Sequence, residues 1–207
     1  SNTVLLGIPL ILTAFGEQAS VPIFLIIYFH SFLLMPTVTT IIELGQGRGK
    51  SIGQLWLSTF KSLFTNPVIL GLFAGMSFNL LNLPIPHAID SVAQMLGAAA
   101  TPGALFAMGA SLSQYRVAGN LPAAGVLSVL KLVIHPLIVW LLAVFAFDIE
   151  PLWIAVAVVM AAMPTGVNMY LFAQRYKVAV AVATTTVLLC TALSIVTLSG
   201  LLFLLID

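Results

Sequence analysis

Residues 151–174 read PLWIAVAVVMAAMPTGVNMYLFAQ, a run without Asp, Glu, Lys or Arg that carries a Pro-Thr-Gly interruption near its middle. An α-helix rises about 1.5 Å per residue and closes its own backbone hydrogen bonds, so a stretch of this length can cross a hydrocarbon core about 30 Å thick. Four other stretches are equally free of these charges: 18–42, 62–89, 91–115 and 178–206. Residues 117–147 add a candidate interrupted only by Lys131, and residues 1–16 supply most of a further one. The sequence therefore predicts an all-α integral membrane protein with seven visible spans, at about 1–16, 20–42, 66–86, 89–113, 122–146, 152–174 and 179–205.

Composition points the same way. Of 207 residues, 61% are hydrophobic and 6% charged, and a water-soluble domain of this size would need several times more charge to cover its surface. The single cysteine, Cys190, excludes disulfides and Cys-rich metal sites. The opening SNTVLLGIPLIL resembles neither a secretory signal nor a soluble start, which leads us to expect a chain that begins partway through a longer protein.

The few charges alternate between connections. Arg48, Lys50, Lys61, Arg116, Arg175 and Lys177 fall on one side of the membrane, and every acidic residue except Glu43 falls on the other. By the positive-inside rule the basic connections are cytoplasmic and the C-terminus is outside. The longest connection opens with GQGRGK at 45–50 and continues as SIGQLWLSTFKSLF at 51–64, whose apolar residues recur at helical spacing. This predicts an interfacial amphipathic helix between two halves. The expected division is 1–43, the last two spans of a first five-span repeat; 44–65, a basic connector and amphipathic helix; and 66–207, a complete second repeat.

Two spans carry prolines at matching places, Pro9 and Pro164, the latter followed by Gly166. Proline removes a helical hydrogen bond and glycine eases unwinding. Membrane helices also tolerate simple proline kinks. The paired placement, with Asn2 and Asn168 nearby, favours two opened helices, because freed backbone groups and half-helix N-termini can line a carrier's central cavity. A five-span unit begins on one side of the membrane and ends on the other, so two such units would form an inverted repeat.

Several strings carry a family resemblance: NTVLLGIPL at 2–10, NPVILGLFAGMSFNLLNLPIP at 66–86, GAAATPGALFAMGASL at 97–112, KLVIHPL at 131–137, MPTGVNMYLFAQRY at 163–176 and TALSIVTL at 191–198. Together they resemble the auxin efflux carrier family, which includes bacterial malonate-transporter-like proteins. The resemblance implies ten spans in two inverted repeats with crossing broken helices. It also places Pro9 and Pro164 at the crossover prolines and Asn2 and Asn168 at the adjoining polar positions.

Lys131 lies near mid-membrane, where a cation is costly without a partner, and no Asp or Glu lies at comparable depth in a visible span. It can face substrate, brace the break or snorkel. His135, four residues on, shares its face and precedes Pro136, a position suited to a helix-packing hydrogen bond. The combined reading is secondary active transport of a small mono- or dicarboxylate by alternating access in a bacterial inner membrane, with no reaction on the substrate. Its site residues are Asn2, Pro9, Pro164, Gly166, Asn168, Lys131 and His135. A channel would show a ring of repeated polar pore residues, and an intramembrane enzyme a Ser–His or paired-Asp arrangement; neither pattern stands out. No cofactor is expected, with coupling to a proton or sodium gradient left open. The expected partners are a small organic acid and membrane lipid, with homodimerisation open and no nucleic acid.

Overall fold

The computed structural model describes residues 1–45, 53, 57, 67–81, 83–113, 121–147 and 149–206. It is built from helices. A π-helical turn, Thr3–Gly7, leads into α1, Ile8–Phe15. A short 3-10 turn then precedes α2, Ser20–Gly45, followed by α3, Pro67–Leu80, and α4, His87–Leu112. Next come α5, Leu121–Val129, a second π-helical turn, Leu130–Ile134, and α6, His135–Phe145. The chain closes with α7, Pro151–Ala162, α8, Asn168–Tyr176, and α9, Val180–Ile206.

These elements correct the seven-span reading, and with it the ten-span inverted repeat with crossing broken helices. Among the described residues, three helical stretches are long and apolar enough to span a membrane: Glu17–Ile42, Leu121–Phe145 and Val180–Leu205. Thr3–Phe15 and Pro151–Ala162 are apolar but short. The physical reason lies in the backbone. Hydropathy counts side chains, whereas the break after Ala162 limits α7 to 12 residues, about 18 Å of rise. α3 begins at the edge of the described residues, and its described part has 14 residues. The expected connector at 44–65 lies almost wholly outside the described residues.

Pro9 does not open a gap. The Ile8 amide donates to the Thr3 carbonyl, five residues back, and the helix continues to Phe15. One widened turn upstream absorbs the hydrogen bond that the pyrrolidine ring cannot make. The same device recurs before Pro136, where the His135 amide donates to the Leu130 carbonyl.

The chain clusters into two compact units. In the unit formed by Phe24–Leu96, Tyr28 stacks on Phe32 and meets Phe73 edge-on at 6.0 Å, an arrangement favoured by the ring quadrupoles. The other unit, Ser1–Ile23 with Gly97–Asp207, holds most of the core. There α9 packs along α5, and α6 along α7. Val156, Val159, Met163, Pro164 and Cys190 are fully enclosed. Val126, Phe145, Val196 and Phe203 turn outward from the same helices, an apolar exterior that suits lipid rather than water.

Candidate functional site

The first segment and the interruption between α7 and α8 meet in this second unit. α7 ends at Ala162, Met163 takes an extended conformation (φ −55°, ψ 138°), and helix resumes only at Asn168. Pro164 cannot donate, so the helical ladder fails there. The opened backbone groups find tertiary partners, as buried amides and carbonyls must.

The Pro164 carbonyl accepts the Asn2 amide at 2.8 Å, and the Asn2 carbonyl in turn accepts the Gly7 amide at 3.1 Å. Such closeness needs glycine on the facing strand of chain. A Cβ at Gly166 would sit 3.1 Å from the Ser1 carbonyl oxygen and 3.3 Å from Asn2 backbone atoms. The Thr165 amide and hydroxyl both point to the Cys190 sulfur on α9, at 3.4 and 3.5 Å. The Ala161 carbonyl, whose helical partner would be the Thr165 amide, is taken from α5–α6 instead. Lys131 Nζ donates to it, and His135 Nδ1 lies 2.9 Å from it.

Lys131 Nζ is also 3.0 Å from His135 Nδ1. A charged ammonium has protons to give and no lone pair to accept with, so this contact requires a bare Nδ1. In that arrangement His135 is neutral, carries its proton on Nε2, and leaves the Ala161 carbonyl to Lys131. The cation thus caps the C-terminal end of α7, where unpaired carbonyls concentrate negative potential.

Among the sequence-derived candidates, Asn2, Pro164 and Gly166 come together at the break, and Lys131 with His135 lies one helical turn upstream against Ala161. Pro9 is buried within the continuous first helix. Asn168 opens α8 and is exposed. Sequence reasoning missed Cys190 and Ala161 as partners. An alanine offers only its backbone, and nothing in an apolar run marks which carbonyl a later break will free. Among the described residues, no group of three or more His, Cys, Asp or Glu side chains could hold a metal ion.

Residues 1–202 match the family model described as membrane transport protein. The chain belongs to this family, the auxin efflux carriers. A candidate malonate transporter of Rhizobium meliloti is 32% identical over 204 residues, covering 98% of this chain and 63% of that relative. The chain thus spans less than two thirds of the relative's own length. Membership in a membrane transport family, together with the apolar helices, makes this a multi-pass membrane protein.

Proposed function

We propose that the protein takes part in secondary active transport of a small organic anion, a mono- or dicarboxylate of the malonate class, across a bacterial cytoplasmic membrane. The observation that carries this reading is the opened backbone at 163–167, held against the first segment by the Asn2–Pro164 hydrogen bond. An interrupted helix exposes peptide dipoles where an uninterrupted one would hide them. The N-terminal end of α8, with the exposed Asn168 side chain at its first position, offers positive potential and a side-chain amide to a carboxylate.

Lys131 contributes charge at a distance in this reading, since its ammonium already engages Ala161. The first segment would close one side of the site through Asn2. Alternating access then requires the contacts around the break to rearrange, exposing the anion to each side in turn. The name carried by the Rhizobium meliloti relative supports the choice of malonate as first substrate. The basic connections are proposed to face the cytoplasm, on the strength of their one-sided distribution.

Uptake of labelled malonate by the full-length protein in liposomes tests the proposal, with Asn168→Ala as the site variant. Saturable uptake that the variant weakens supports it. Saturable uptake that Asn168→Ala leaves unchanged removes the α8 N-terminus from the site.

A further inference from the structure

The cluster on the Ala161 carbonyl contains three polar groups, and the protonation of His135 decides which hydrogen bonds they make. Lys131 Nζ and His135 Nδ1 each reach the same carbonyl, and they reach each other at 3.0 Å. With Nδ1 bare, the Lys131 ammonium donates to both the carbonyl and the ring. Once a proton is added to His135, Nδ1 becomes a donor, its N–H turns to Ala161, and two cations stand side by side. Like charges at that separation repel. That repulsion favours departure of the Lys131 ammonium from the carbonyl.

The surroundings offer little to soften this choice. Among the elements packed against the π turn, α5 and α7 contain no titratable side chain, and α6 contains none besides His135. α9 contributes the Cys190 thiol. None of these supplies a carboxylate. The carbonyl under competition belongs to the last turn of α7, directly before the break, so a change of donor there acts on the segment that carries Pro164 and Gly166.

We infer that Lys131, His135 and the Ala161 carbonyl form a proton-binding site whose occupancy loosens the α7–α8 break and couples carriage of the anion to a proton. The coupling rests on the transport reading; the proton site itself does not. The incoming proton resides on His135 Nδ1, and it leaves when Nδ1 again accepts from Lys131.

Hydrogen exchange at residues 162–168 of the full-length protein in nanodiscs, followed over about pH 5 to 8 where histidine charge changes, tests the site without any substrate. After correction for the intrinsic exchange rate, wild type should exchange faster at the acid end. His135→Asn keeps an amide nitrogen near the Nδ1 position but cannot titrate, so its profile should be flat. Lys131→Met removes the competing cation, so its profile should be flat or reversed. A flat wild-type profile overturns the inference. So does a wild-type slope retained in Lys131→Met, which decides the matter even if His135→Asn fails to fold.

A second arm measures labelled malonate uptake into liposomes with and without an imposed pH gradient. Wild type should respond several-fold, and in His135→Asn the ratio of the two rates should fall to one. Wild-type uptake that ignores the gradient refutes the coupling while leaving the transport reading intact. Absence of wild-type malonate uptake refutes the substrate assignment, and the exchange profile then decides the proton site alone.

Discussion

The Asn2 amide donates to the Pro164 carbonyl across 2.8 Å, tying the start of the chain to an interruption more than 160 residues later. Gly166 is what lets the two backbones approach. A methyl group there would meet the Ser1 carbonyl oxygen and the Asn2 backbone, atoms that cannot rotate aside as a side chain can.

Gly166→Ala should therefore destabilise the protein by about 1–3 kcal/mol, the range for forcing extra volume into a packed site. Gly7→Ala should cost less. Its added methyl would meet Met160 Sδ at 3.0 Å, near the end of a flexible side chain that can re-pack. Thermal unfolding of the two purified variants checks the order; equal losses would mean that the Ser1–Asn2 segment yields easily.

Lys131→Met should leave the Ala161 carbonyl to His135 alone and lose stability, on the order of 1–3 kcal/mol for a weakened buried polar group. Lys131→Gln retains a donor and should lose less. A melting temperature for Lys131→Met equal to that of wild type would show that the ammonium contributes nothing at the end of α7.

Cys190→Ser keeps an acceptor facing Thr165, whereas Cys190→Ala orphans the Thr165 amide and hydroxyl. Both remove the sulfur's volume, so their difference isolates the hydrogen bonds. Cys190→Ala should be the less stable by about 1 kcal/mol. A double-mutant cycle with Thr165→Val should give a coupling energy clearly above additivity error, and a coupling of zero would dissolve the contact.

Much of this arrangement was legible from residues and some was not. Charge-free runs revealed the apolar helices, and Pro164 beside Gly166 revealed where α7 stops. The spacing of Lys131 and His135 put them on one face, and the structure joins them. The span count failed because an apolar run does not report whether its backbone stays helical, as 151–174 demonstrates. Pro9 and Pro164 look alike in sequence yet behave differently. Before Pro9 a π turn restores hydrogen bonding within the helix, while at Pro164 the freed groups bond to distant residues. That choice depends on neighbours brought in by the fold, the Asn2 backbone and Cys190, which local sequence does not announce.

Asn168→Ala should lower malonate affinity by about 1–3 kcal/mol, the cost of losing a hydrogen bond to a charged group. Its exposure means that folding should be little affected. Equilibrium binding to the purified variant, with its melting temperature as control, separates the two effects. Unchanged affinity would take Asn168 out of the anion's contacts.

Carriage of a small organic anion can be measured as labelled malonate uptake into liposomes holding the full-length protein, against protein-free liposomes. Uptake should be saturable, competed by unlabelled malonate, and should accumulate against a gradient when a driving ion gradient is imposed. Uptake no greater than in protein-free liposomes, or a non-saturating flux that only dissipates the malonate gradient, would contradict it.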